Sequence, residues 1–448
     1  MRVCEFVSWR VCGLASWRVC EFAGLRVGGS EFDGVCVGLV RSNEFIKNKE
    51  LNSTNLAKFV ELRYTFCMIP RAYEPLDKYV QPNKILLIYG PRRVGKTTLL
   101  QNYLATTEWS YKLDSGDNIQ TQLLLSSQDF SQILPYVEGY QLLALDEAQE
   151  IPQIGKALKI IVDQVPGIRV IVTGSSSFEL AGQTGEPLTG RKRTLSLYPV
   201  AQSELLAPGT AYGFNRYELQ QRLPDFLIYG SYPEVVEAGT QQERIDILTE
   251  IANSYLLKDV VAFQRVRSSR VLLNLLRLIA FQVGSEVSYT ELATKSGVDV
   301  KTVQRYLDLL EKAFVLYRLT GFSRNLRKEI TRKAKYYFWD NGIRNAVIAQ
   351  FNALEQRDDV GQLWENFIFI ERLKCRTYYP LAANVYFWRT YDQQEIDLVE
   401  ERGGNLFAYE CKWSTKKSVT PPPGWLQAYP NAEFMVITPD NYLSFVLP

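Results

Sequence analysis

The stretch "ILLIYGPRRVGKTTLL", residues 85 to 100, constrains this chain more than any other. A short apolar run reads as a buried strand, a glycine loop follows, and a helix opens directly after it. Gly90 to Thr97 fits G-x-x-x-x-G-K-[ST]. Gly90 and Gly95 let the backbone N–H groups of the loop Pro91, Arg92, Arg93 and Val94 turn inward around phosphate oxygens. Lys96 places a point charge on the β and γ phosphates. The Thr97 hydroxyl is placed to ligate Mg²⁺, and Thr98 beside it is counted with the nucleotide-binding residues. The cofactors expected here are ATP and Mg²⁺.

A partner motif supports that reading. In "YQLLALDEAQE" an apolar run ends in Asp146 and Glu147. A strand ending there sets Asp146 at the carboxyl edge of a parallel sheet, beside the glycine loop. Asp146 would hold Mg²⁺ through water, and Glu147 would orient and deprotonate the attacking water. A third strand, "IRVIVTGSSS", ends in Thr173, Ser175 and Ser176, whose hydroxyls suit sensing of the γ-phosphate. The later "LTGRKRTLSLYPV" supplies Arg191. Arg191 reads either as an arginine finger, acting in its own subunit or the next, or as part of a basic surface loop.

In this order "GPRRVGKTTLL", "LLALDEAQ", "VIVTGSSS", "LTGRKRTLSLYPV", "YGSYPEVV" and "YYFWDNGIRNAV" resemble a family of prokaryotic AAA-type P-loop ATPases with a C-terminal domain of unknown function. The likeness covers residues 68 to 448. It implies an ATPase core, a winged-helix middle and a nuclease-like end, and it leaves a homo-oligomer open. The expected fold class is α/β: a P-loop parallel sheet over 68–205, a helical lid over 206–265, a winged helix over 266–340 and a restriction-endonuclease-like α/β domain over 341–448.

The middle segment carries its own signature. Residues 241 to 282 are rich in Leu, Ile and Val at helical spacing. Then "SYTELATKSGVDVKTVQRYLDLLEKAFVLYRL" places a capping box at Ser288 and Glu291, a turn at Gly297 and a second cap at Asp299. Val303, Leu307 and Leu310 make the inner stripe of the second helix. Lys301, Thr302, Gln304 and Arg305 face outward near its N-terminal end, where a recognition helix meets DNA. Two strand-like runs flank "SRNLRKEITRK", a basic wing holding Arg324, Arg327, Lys328 and Arg332. DNA is therefore an expected partner, although such units also serve as protein–protein spacers.

At the C-terminal end "NVYFWRTY", "QEIDLVEE" and "NLFAYECKW" read as a three-strand meander after a helix bearing Glu365. Strand alternation puts Glu410 and Lys412 on one face and Tyr409, Cys411 and Trp413 on the other. Glu365, Asp397, Glu410 and Lys412 resemble the PD-(D/E)xK nuclease pattern. That likeness implies Mg²⁺ or Mn²⁺ on Asp397 and Glu410, help from Glu365, and Lys412 polarising the attacking water. An E-x-K pair on a strand is also a common ion pair, and nuclease folds are reused as inert binding platforms.

Composition narrows the remaining classes. The 448 residues contain no histidine, so His-based triads and histidine general bases are excluded. Charged residues make up 22% and the net charge is +2, giving no overall pull on nucleic acid; any DNA contact must be local. No run reaches the ~18 apolar residues of a membrane span, and a cytoplasmic protein with no membrane partner is expected. The opening "RVCEFVSWRVCGLASWRVCEFAGL" repeats every eight residues. We expect residues 1–67 to be a tandem DNA repeat read in frame, disordered or absent from the natural protein, with Met68 as the start of ordinary globular sequence.

Overall fold

The structure is a computed structural model that describes residues 69–175, 188–206, 213–263, 269–322, 334–390, 392–414 and 419–448, together with three strands near the N-terminus. The chain divides into two compact units, residues 1–66 and 67–448. In the first unit β1 (Trp9–Leu14), β2 (Trp17–Val27) and β3 (Ser30–Arg41) pair as an antiparallel meander. Val, Phe and Trp, frequent in this segment, favour strands.

The second unit begins with a five-stranded, all-parallel sheet. Its strands are β4 (Lys84–Gly90), β5 (Tyr111–Ser115), β6 (Leu142–Asp146), β7 (Arg169–Ser175) and β8 (Lys192–Ser196). They lie in the spatial order β5-β6-β7-β4-β8. The runs "ILLI", "LLAL" and "VIV" are buried because helices cover both faces, as a parallel sheet requires. β7 is inserted between the glycine-loop strand and β6. Consequently the ends of β4, β7 and β6 stand side by side at one edge.

Helices follow: α1 (Lys96–Thr106) leaves the glycine loop, and α2 (Gln241–Phe263) and α3 (Ser269–Ala280) form the bundle read from the sequence. Next, α4 (Tyr289–Ser296) and α5 (Val300–Lys312) meet at Gly297, whose φ of +68° suits glycine at a helix end. Of the expected capping box only the Ser288 half forms, its side chain accepting from the Glu291 N–H while the Glu291 carboxylate bonds Lys295; the Asp299 cap forms, its side chain accepting from the Thr302 N–H. Val303, Leu307 and Leu310 are buried. A small antiparallel sheet follows in the order β10 (Leu316–Thr320), β11 (Ala334–Phe338), β9 (Glu286–Val287).

After α6 (Asn341–Val347), the long helix α7 (Val360–Tyr378) packs on a four-stranded mixed sheet. The meander β12 (Asn384–Arg389), β13 (Glu395–Arg402) and β14 (Asn405–Cys411) is antiparallel, as the sequence indicates. A fourth strand, β15 (Glu433–Ile437), adds parallel to β14. One continuous buried cluster runs from Ile69 to Leu447 across all these segments. Among the described residues no helix is long and apolar enough to cross a membrane.

Candidate active site and carboxylate cluster

The glycine loop turns as its sequence requires. A Cβ on Gly90 would lie 1.9 Å from the Leu197 carbonyl oxygen, so only glycine lets these backbones approach. Gly95 stands at φ +89° immediately before α1. Pro91 and Val94 are buried, whereas Arg93 and Thr98 are exposed. Arg93 adopts φ +58° and pairs with Glu234 at 3.5 Å and also with Glu250 on α2, which ties the loop to the helical segment. The buried Lys96 ammonium donates to the carbonyls of Gly90 at 3.1 Å and Pro91 at 2.7 Å.

The three strand ends converge on Asp146. Thr97 Oγ1 donates to one carboxylate oxygen at 2.9 Å, and Thr173 Oγ1 donates to the other. The Glu147 N–H donates to Thr173 Oγ1 at 3.1 Å, with Glu147 held at φ +46°. Its carboxylate accepts from Gln149, whose amide also reaches Ser175 Oγ at 3.0 Å. A hydroxyl and a carboxylate brought this close are the donor set by which Mg²⁺ is held beside phosphates, with water completing its shell. Thr97 and Asp146 therefore fit that ion. Ser176 lies outside the described residues.

Arg191 does not serve its own phosphate loop. It precedes the first residue of β8, and Lys192 pairs with Ile85 at the start of β4. In a parallel sheet that is the edge opposite Gly90, roughly 20 Å away along the strand at about 3.3 Å per residue. There Arg191 forms an ion pair with Asp163 at 2.6 Å.

Arg71 and Gln149 were not singled out from the sequence. The Arg71 guanidinium is buried and donates to Val94 O inside the loop, to Tyr198 O at 2.7 Å and to Glu204 at 2.9 Å. Burial opposes its charge, but Glu204 and Tyr378 together more than compensate and hold its pKa above the ordinary value. An isolated arginine before any motif gives no such signal. The segment it grips is also held by α7. The Tyr198 N–H donates to Tyr378 Oη at 3.0 Å, the Gln202 N–H to Glu371 at 2.8 Å, and Lys374 Nζ to Val200 O at 3.2 Å.

At the other end of α7 the C-terminal residues meet. Lys412 Nζ bonds Glu410 at 2.7 Å, and Asp397 accepts the Cys411 N–H at 2.8 Å. Burial and the neighbouring Asp397 charge push Glu365 up to about 8. Burial likewise raises Asp397, and burial and Asp397 raise Glu410. Lys335, Tyr337 and Glu395 join them, unanticipated. Lys335 Nζ lies 2.5 Å from Glu395 and 3.4 Å from Glu365, and Tyr337 Oη donates to Glu365 at 2.7 Å. Among the described residues no three Asp, Glu, Cys or His side chains are grouped to hold a metal ion. One oxygen of Glu410 already bonds Lys412 and one of Asp397 the Cys411 N–H, so the residues expected to hold Mg²⁺ or Mn²⁺ are partly engaged by the protein itself.

On α5, Lys301, Gln304 and Arg305 are exposed as expected. Thr302 is not free to read DNA, since its N–H and hydroxyl bond Asp299 at 2.9 and 2.7 Å as the helix cap. The wing residues Arg324, Arg327, Lys328 and Arg332 lie outside the described residues.

Residues 82–206 match the family model of the AAA domain. Residues 220–354 and 360–443 match two domains of unknown function, DUF8612 and DUF4143. An uncharacterized protein from Mycobacterium tuberculosis is 27% identical over 341 residues, covering 75% of this chain and 72% of its own. One from Haemophilus influenzae is 25% identical over 394 residues, covering 82% and 92%. A solved STAND protein (Signal Transduction ATPase with Numerous Domains) with a tetratricopeptide repeat sensor, from Pyrococcus horikoshii, aligns at 14% identity with a TM-score of 0.23. That alignment covers 65% of this chain and 43% of the solved one. The AAA match and the convergence of Lys96, Thr97 and Asp146 at one sheet edge agree: residues 82–206 are similar to an AAA domain and hold a phosphate-loop arrangement, ahead of a segment similar to a domain of unknown function.

Proposed function

We propose that the protein is an ATP-driven switch that docks on DNA, with hydrolysis at the glycine loop resetting it. The observation that carries this reading is the clamp at residues 198–204. Arg71 ties that segment to Val94 in the loop, and Tyr378, Glu371 and Lys374 tie it to α7. Movement of the loop on nucleotide exchange would therefore reach the C-terminal half through packed, hydrogen-bonded groups.

In the hydrolytic step Lys96 would leave the Gly90 and Pro91 carbonyls for the phosphates. Thr97 and Asp146 would hold Mg²⁺, which neutralises charge developing on the phosphate oxygens. Glu147 would accept the proton of the attacking water, and Gln149 and Thr173 would keep it in place. Arg191 could reach phosphate only in a neighbouring subunit of a homo-oligomer.

For DNA contact, α4, α5 and the sheet β9–β11 support a winged helix. Lys301, Gln304 and Arg305 would lie toward the phosphates, and the basic segment with Arg324, Arg327, Lys328 and Arg332 would form the wing. A second reading, metal-dependent cleavage, has in its favour that Glu365, Asp397, Glu410 and Lys412 lie in one neighbourhood. Lys335 among them favours the switch.

The test compares DNA affinity of the full chain with ATP, with ADP and without nucleotide, in wild type, Lys96→Ala and Glu147→Gln. Nucleotide-dependent affinity that Lys96→Ala loses and Glu147→Gln locks on is the expected result. Full ATPase activity in Lys96→Ala would refute the glycine-loop assignment, and affinity blind to nucleotide would refute the switch. Plasmid cleavage by wild type that Lys412→Ala loses would instead establish the nuclease.

A further inference from the structure

Lys335 is a charged side chain only 1% exposed, the second residue of strand β11. A buried ammonium is costly unless opposite charge surrounds it. Here Glu395 and Glu365 supply that charge at 2.5 and 3.4 Å, with Asp397 adjoining. Lys335 and Tyr337 are two apart on one strand and so share a face. Both address Glu365, which sits on α7 in the following domain-sized segment.

The surroundings leave Glu365 little freedom. On one side is Gly284 at φ +73°, where even a Cβ would come within 2.8 Å of the carboxylate oxygen. Arg389 adds a second cation, 3.7 Å from Glu395 and 3.3 Å from Glu286. Lys412 is paired with Glu410. A divalent ion needs several oxygens free to turn toward one point at 2.0–2.6 Å. Glu365 and Glu395 turn toward the Lys335 ammonium instead, and Asp397 accepts the Cys411 N–H.

We infer that Lys335 is the resident cation of the Glu365–Glu395–Asp397 cluster, standing where a divalent metal would otherwise be held and latching β11 to the C-terminal domain. The cluster is then a metal-free junction, and the lysine comes from a strand outside the E-x-K segment. Neither the glycine loop nor ATP enters this inference, so it can fail while the switch reading survives.

The experiment is titration of the nucleotide-free full chain with Mn²⁺ alone, followed by electron paramagnetic resonance of the free ion. Wild type, Asp397→Asn and Lys335→Met are compared. Wild type should show no saturable site tighter than ~1 mM that Asp397→Asn removes, and Lys335→Met should gain one at least tenfold tighter. An Asp397-dependent site in wild type overturns the inference. So does a folded Lys335→Met that gains none, because the lysine would then not be what keeps the ion out. If Lys335→Met does not fold, wild type against Asp397→Asn decides alone: silence supports the resident lysine, and an Asp397-dependent site refutes it.

Discussion

Thr97 and Asp146 are 49 residues apart in the chain, yet the threonine hydroxyl donates to the aspartate carboxylate at 2.9 Å. Thr173, from the strand β7 that lies between β4 and β6, bonds the other oxygen of the same carboxylate. Asp146→Ala removes the acceptor of both. It should lower ATP turnover on the order of 10²-fold or more while leaving the parallel sheet folded. Steady-state phosphate release beside a circular dichroism spectrum checks this. Unchanged turnover would remove Asp146 from the site.

Arg71 and Glu204 form a buried pair that also holds the Val94 and Tyr198 carbonyls. Removing one partner strands the other charge in a low-dielectric interior, so Arg71→Ala should cost about 3–5 kcal/mol. Because Val94 lies in the glycine loop, ATP affinity should fall too. Denaturant midpoints and fluorescent-nucleotide titration read the two effects. Loss of affinity without loss of stability would make Arg71 a ligand contact rather than a clamp.

Burial pushes Glu311 on α5 up to about 7, and Arg318 only partly offsets this. Between its ordinary value near 4.5 and 7, the folded chain holds a proton that the unfolded chain has released. Stability from this group is therefore full below that window and declines as pH rises through it. Glu311→Gln should flatten the decline. Urea midpoints at about pH 5 and pH 8 for both proteins measure it. Parallel curves for wild type and variant would show that Glu311 is not responsible.

Lys301 and Arg305 stand exposed on the first turns of α5. If they meet phosphates, alanine at both should weaken DNA binding across all sequences and reduce the salt slope by about 2, roughly 1 per contact. Fluorescence anisotropy over a salt series tests this. An unchanged slope would assign the face to a protein partner.

The sequence by itself determined the local machinery. Gly90, Gly95, Lys96 and Thr97 announce a phosphate loop because close backbone approach and a paired charge admit few substitutes. Ser288, Gly297 and Asp299 announce two capped helices because caps are satisfied within a few residues. The alternation of Tyr409, Glu410, Cys411 and Lys412 likewise fixes which side chains share a face. Only the tertiary structure decided what meets across distance. It set Arg191 at the wrong edge of the sheet for its own phosphates, because that depends on where a parallel strand starts rather than on local charge. Arg71 reached the loop through a side chain that no local pattern marks. Lys335 entered the carboxylate cluster from β11, a buried strand whose composition gives no reason to expect a charge. Burial of a lysine is settled by the acids that surround it, and those come from α7 and β13.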